Sequence, residues 1–346
     1  MERLNRLKSG RRPALVAAGF LLLASAFLLL IRIVFFTPLQ NLSDPVVFEV
    51  RPGSSLSGIS EQLVEKGILD SGTAFSLAAR WQGVASSIKA GEYRAEPGMN
   101  IRDLLALVVS GESIQYRVTF VEGWTMKQVL ATMAAKEEIE QTLEDSTLAD
   151  IAVALGVPQS NPEGLIHPDT YFFTRGTADM ELLRMARTRQ QLLLDAAWES
   201  RLGALPYDDP YQALVMASII EKESAVGSER GHIAGVFARR LERGMRLQSD
   251  PTVIYGMGES YAGNITREDL NTSSPYNTYR ISGLPPTPIA LPGEESIKAS
   301  LNPMESDYLY FVATGDGGHH FSATLEEHNA AVARYQLNQS EPAGTQ

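Results

Sequence analysis

Hydrophobic and polar positions divide the chain into three stretches of different rhythm. Ala14 to Ile31 is a run of 18 residues without a charge, and past Arg32 it continues to Phe36, 23 residues in all. That is long enough for the roughly 20 residues of a bilayer-spanning helix. Ala24-Ser25-Ala26 has the small-residue spacing of a signal-peptide cleavage site. Five further apolar residues, Phe27 to Ile31, follow it and favour an uncleaved anchor over residues 14–36. Beyond the polar linker Gln40 to Pro45, a second rhythm recurs three times: extended residues, a Gly after Pro or Glu, then apolar residues at helical spacing. The copies are Val46 to Val64 around Pro52-Gly53, Tyr93 to Val109 around Pro97-Gly98, and Arg117 to Met133 around Glu122-Gly123. Each predicts a β-turn-α unit.

The third stretch predicts an α+β domain over 159–335, after an acidic, partly helical Glu137 to Gly156. Thr177 to Trp198 reads as a long helix, with Met180, Leu183, Ala186 and Leu193 on one face. Tyr211 to Ser224 reads as a buried helix, Glu229 to Arg243 as an amphipathic one, and Thr252 to Tyr255 as a short strand after Asp250-Pro251. Gly293 to Leu301 predicts a further helix, Tyr308 to Val312 a strand, Gly315 to Gly318 a turn, and Thr324 to Leu337 a helix opening on the Thr324-x-x-Glu327 capping box. The polar tail 338–346 is expected to fray.

The acidic pair Glu221 and Glu223 closes the buried helix. The carbonyl end of a helix disfavours ionised carboxylates there, and mutual repulsion and burial push the same way, so one of the two is a candidate general acid. Two positions apart at about 100° per residue, they point in nearly opposite directions, and one cleft receives one of them.

Charge and composition narrow the chemistry. The 346 residues carry 30 basic and 41 acidic side chains, a net −11. Six of the basic residues fall in 1–36 against Glu2 alone, leaving 24 against 40, or −16, in 37–346. Such a body repels phosphate backbones, so nucleic acid is not an expected partner. Five basic residues precede the apolar run and place the 1–13 segment in the cytoplasm, with everything after Thr37 outside. Cysteine is absent, which excludes thiolate catalysis and Cys-ligated zinc. The five histidines, at 167, 232, 319, 320 and 328, form no zinc-ligand spacing, and no phosphate loop or GxSxG elbow is present. No metal or cofactor is expected.

SIIEKESAVGSERGHIAGVFARRLERGMRLQSDPTVIYG (Ser218 to Gly256) resembles the YceG-like family of endolytic murein transglycosylases. So do FVEGWT (Phe120 to Thr125), EGLIHPDTYFF (Glu163 to Phe173), SPYNTY (Ser274 to Tyr279), GLPPTPIALPG (Gly283 to Gly293) and YLYFVATGDGGHHFSATLEEHN (Tyr308 to Asn329). The likeness covers roughly residues 45–335, and His167 departs from the family's usual aromatic or aliphatic residue before Pro-Asp.

The resemblance implies a lytic transglycosylase with Glu223 as catalytic acid and then base, and Glu221 as a helix-end or supporting group. It also implies a LysM-like βα region at 45–135, which either engages glycan or only braces the catalytic domain, and peptidoglycan strands and their synthases as partners of a protein that the apolar run would anchor in the inner membrane. Sugar sites favour aromatic faces and amides, which makes Tyr255, Tyr276, Asn277, Thr278 and Tyr279 candidates for glycan contact. Gln248 and Asp250 are candidates to bind substrate or orient the acid, and His319 to line the cleft. Asp169 is a possible second carboxylate, which a lysozyme-like hydrolase would need. A membrane-tethered, non-catalytic glycan-binding scaffold is the alternative from outside enzymology.

Overall fold

The computed structural model describes residues 11–39, 42–223 and 226–337. Of the predicted basic segment and tail, 1–10 and 338–346 lie outside the described residues. The chain divides into two units between Tyr116 and Arg117. The first two β-turn-α copies therefore fall in one unit, and the third opens the other.

The first unit begins with helix α1 (Arg11–Phe36), whose side chains Val16, Phe20 to Leu23 and Phe27 to Leu29 are exposed. Several side chains of the 14–36 run are not described. Among the described residues, no helix is long and apolar enough to cross a membrane. Strand β1 (Val46–Val50), α2 (Leu56–Glu65), α3 (Gly72–Trp81), β2 (Gly91–Ala95) and α4 (Ile101–Ser110) follow. β1 and β2 pair antiparallel, Val46 opposite Ala95 and Val50 opposite Gly91. Phe48, Leu63, Phe75, Tyr93 and Leu104 form the core beneath them. The turn glycines Gly53 and Gly98 hold φ of 78° and 89°, a region that strains other residues. Ser55 and Asn100 cap α2 and α4 by accepting backbone N–H groups. Helix α3 is not among the predicted elements.

The second unit opens within β3 (Tyr116–Thr119), whose first residue closes the first unit, and carries α5 (Met126–Ala134), β4 (Ile139–Glu140), α6 (Leu148–Leu155), β5 (Thr170–Phe173), β6 (Thr177–Ala178), α7 (Asp179–Glu199), α8 (Pro210–Glu223), α9 (Arg230–Glu242), α10 (Asp250–Met257), α11 (Arg267–Asn271), α12 (Glu294–Leu301), β7 (Tyr310–Ala313), β8 (His319–Ser322) and α13 (Leu325–Val332). Its sheets are two-stranded: β3 with β5, β4 with β6 in parallel, and β7 with β8 antiparallel. The predicted strand at Thr252 to Tyr255 is instead the middle of α10. Three β-branched residues suggested extension, but Asp250 and Pro251 in the first turn are a helix start, since Pro presets φ and lacks only an N–H that is unpaired there anyway.

Helix α8 is the axis of this unit. Every residue from Ala213 to Ile220 is buried, so α8 has no polar stripe and must be surrounded. It packs against α7, α9, α10 and α12, with Ile219, Ile220, Ile233, Phe237, Ile297 and Leu301 in one core. Burying side chains of this size stabilises by roughly 1.5–3 kcal/mol each, which fixes where α8 ends and hence where its terminal acids sit.

A candidate active site at the end of a buried helix

Glu221 and Glu223 leave α8 in different directions. Glu221 turns toward α12, where its Oε2 accepts the Gly293 N–H at 3.0 Å and the Ser296 hydroxyl at 2.7 Å. Its Oε1 pairs with Arg230 Nη2 at 3.2 Å. Its carboxyl sits at the positive end of α12, with three donors on its two oxygens. Glu223 faces the other way, into a cleft of about 450 Å³ that it lines with Arg240, Gln248, Asp250, Tyr279 and His319. Residues 224 and 225, which follow it, lie outside the described residues.

Burial raises the Glu223 carboxyl to about 7, and nearby Asp250 pushes the same way; the Ser249 hydroxyl, His319 and Arg240 hold it back. The hydroxyl of Ser249 donates to Glu223 Oε1 at 2.6 Å. Ser249 is itself held on both sides: its N–H donates to Thr278 Oγ1 at 2.9 Å, and its carbonyl accepts from Thr252 Oγ1 at 2.7 Å. Just before it, Gln248 has φ of 53°, the one positive value outside glycine among the described residues. That conformation costs on the order of 1–3 kcal/mol and persists only where neighbours over-determine it. Here Thr278 does so, since its carbonyl accepts the Gln248 N–H at 3.2 Å.

The predicted sugar-contacting residues thus separate. Gln248, Asp250, Tyr279 and His319 line the cleft with Glu223, and the Tyr279 hydroxyl bonds Asp250 Oδ1 at 2.6 Å. Asn277 and Thr278 are buried and do not line it. Asn277 Nδ2 donates to the carbonyls of Asp269, Leu270 and Thr272, closing the end of α11, and Thr278 braces Ser249. Tyr276 bonds Thr287, and its ring lies 4.9 Å from that of Tyr255. Asp169 pairs with Arg189, accepts the Thr170 N–H at 2.7 Å, and is not a lining residue of the cleft. His167 is buried with Nδ1 at 2.9 Å from Gln190 Oε1.

Four residues of consequence escaped the sequence reading. Ser249 sits unremarked between Gln248 and Asp250. Arg240 is buried near the floor of the cleft, its Nε and Nη1 donating to the Leu309 and Leu247 carbonyls at 2.7 and 2.6 Å. Glu229 grips His319. Glu163 is a second buried acid, raised to about 7 by burial. Its Oε1 accepts the Met126 N–H at the start of α5 at 2.9 Å, and its Oε2 the Tyr255 hydroxyl at 3.1 Å. Only a motif position marked Glu163, because its burial is set by segments distant in sequence.

A larger groove of about 850 Å³ lies along Leu202 to Ala204 and Asn302 to Asp307. Its arginine, Arg239, is committed to Met304, Ser306 and Tyr308. Among the described residues no group of three or more His, Asp or Glu side chains is placed to hold a metal ion.

A carboxyl raised to about 7 in an open cleft, among hydroxyl, amide and imidazole groups, has the chemistry for general acid catalysis on a polar substrate. The sequence pattern of the YceG-like family matches residues 48–334; the chain belongs to that family. It is 32% identical to an endolytic murein transglycosylase of Bacillus subtilis over 88% of this chain and 89% of that protein. It is 30% identical to the endolytic murein transglycosylase of Streptococcus pneumoniae D39, over 85% of this chain but 59% of the longer relative. The crystal structure of a YceG-like protein from Listeria monocytogenes is similar with a TM-score of 0.53 at 30% identity, covering 83% of this chain and 98% of that one.

Proposed function

We propose that this protein is an endolytic murein transglycosylase that cleaves internal MurNAc-GlcNAc β-1,4 bonds of peptidoglycan, with Glu223 as acid and then base. The observation that carries the reading is the half-buried Glu223 carboxyl, protonated up to about pH 7 and facing the cleft. In the first step its proton passes to the glycosidic oxygen and the C1–O bond of the muramic residue breaks, leaving an oxocarbenium-like centre. The Glu223 carboxylate, steadied by the Ser249 hydroxyl and the Arg240 charge, then removes the proton of the C6 hydroxyl of the same sugar. O6 bonds C1, and the product ends in 1,6-anhydro-MurNAc. Attack within one ring needs no second carboxylate to activate water, which agrees with an Asp169 committed to Arg189.

Gln248, Asp250, Tyr279 and His319 are proposed to contact the glycan, and Ser249, Thr278 and Glu221 to hold the acid's surroundings. We further propose that residues 14–36 anchor the chain in the inner membrane with the rest outside, supported by the 23-residue run and the basic residues before it. Residues 45–135 are proposed to engage glycan as a LysM-like region, and anchoring would keep the enzyme near peptidoglycan synthases.

Mass spectrometry of peptidoglycan strands treated with the full-length protein tests the activity. Internal fragments ending in 1,6-anhydro-MurNAc are expected from wild type, and none from Glu223→Gln, which should still bind strands. Reducing ends would indicate hydrolysis, and an intact substrate would favour the scaffold.

A further inference from the structure

Glu229 has an arrangement that neither the proposed acid nor the core requires. It ends a short 3₁₀ turn, Gly227–Glu229, directly before α9. Both of its carboxylate oxygens are spent on one residue of β8: Oε1 accepts the His319 backbone N–H at 2.9 Å, and Oε2 lies 2.7 Å from His319 Nδ1. Gly318 leaves room for this approach: a Cβ there would lie 3.1 Å from Oε1, and the carboxylate would have to give by a few tenths of an ångström. The imidazole is also held edge-on to Phe311, with ring centroids 5.3 Å apart and planes at 89°. His319 pairs with Ala313 across the β7–β8 ladder, so backbone, ring plane and Nδ1 are all fixed, on a residue that lines the cleft with Glu223.

A carboxylate only accepts hydrogen bonds, so the nitrogen facing Glu229 must carry a proton. The other ring nitrogen, Nε2, is then an acceptor whenever the ring is neutral. We propose that Glu229 is a positioning residue of this site: by holding Nδ1–H it selects the His319 tautomer whose Nε2 presents a lone pair to the cleft, where it accepts a hydrogen bond from a hydroxyl or acetamido N–H of the bound glycan. The proposal rests on the transglycosylase reading for the identity of the ligand, but the tautomer does not depend on it.

The test begins with ¹⁵N-histidine labelling of the full-length protein, in which five histidines are to be resolved and His319 is assigned by its loss in His319→Gln. Wild type is expected to show Nδ1–H. In Glu229→Gln the amide oxygen can keep the backbone N–H while the amide NH₂ faces Nδ1, so the ring should switch to Nε2–H. Loss of one directed hydrogen bond predicts about tenfold weaker binding of a MurNAc-GlcNAc oligomer, measured on a Glu223→Gln background so that nothing turns over. The same substitution in the active protein should act on KM more than on kcat.

Nε2–H in wild type, or a switched tautomer with binding unchanged within twofold, would overturn the proposal. If Glu229→Gln does not fold, His319→Gln and His319→Asn decide the question. Gln carries its amide to the place of Nε2 and should bind better than Asn, which reaches only the place of Nδ1; equal affinities would refute the role. If wild type failed to cleave strands, the transglycosylase reading would fall while the tautomer result stood.

Discussion

Glu163 makes a prediction that separates burial from catalysis. Its carboxyl rises from an ordinary 4.5 to about 7 because it is enclosed, with the Met126 N–H, the Tyr255 hydroxyl and the Gly164 backbone opposing the shift. A proton held more tightly in the folded than in the unfolded state stabilises the fold fully below about pH 4.5, and that contribution is lost as pH rises through about 7. At about 1.4 kcal/mol per pH unit, the loss approaches roughly 3 kcal/mol. In Glu163→Gln the amide oxygen can still accept the Met126 N–H, and the NH₂ group can donate to the Tyr255 oxygen, copying the protonated acid. The variant should therefore match wild type within about 1 kcal/mol at pH 5 and exceed it by up to roughly 3 kcal/mol at pH 8. For a body the size of residues 117–346 that is roughly 6–12 °C in melting temperature. Thermal unfolding of both proteins at the two pH values, followed by circular dichroism, checks it. Because other titrating groups are common to both, a wild-type-to-variant difference that does not grow from pH 5 to pH 8 would refute the reasoning.

Further outcomes concern the cleft and its support. Asp250→Asn removes a charge that raises the Glu223 carboxyl, so the alkaline limb of the kcat/KM profile should move to lower pH; an unmoved limb would remove Asp250 from the acid's environment. Ser249→Ala removes the hydroxyl that holds Glu223 down, and the same limb should move the opposite way. Glu221→Ala removes the nearer of two carboxylate partners of Arg230, leaving Glu122 at 3.9 Å, and strands two donors at the start of α12, for a loss of roughly 3–5 kcal/mol in urea unfolding; a loss under 1 kcal/mol would contradict its structural role.

What could be read from the sequence follows the range of the interactions. Helix α8 and its opposed acids were legible because a Pro-free apolar run and a 3.6-residue period are local facts, as were the turn glycines and the Thr324 capping box, whose Oγ1 accepts the Glu327 N–H. Helix α10 was misread because three β-branched residues outweighed the Asp-Pro start signal. Ser249, Thr278 and Gln248 were not legible as one device, since residues 29 and more positions apart create it. The aromatic and amide residues of SPYNTY show the limit of composition: Tyr279 reaches the cleft while Asn277 serves the backbone of α11, and neither residue type could announce which.

Cleavage of peptidoglycan strands in H₂¹⁸O tests the central claim most directly. Attack by the sugar's own C6 hydroxyl after protonation by Glu223 predicts new muramic ends that are 18 Da lighter than reducing ends, carry no ¹⁸O, and are absent with Glu223→Gln. New ends bearing one ¹⁸O, or cleavage that survives the Glu223 substitution, would contradict it.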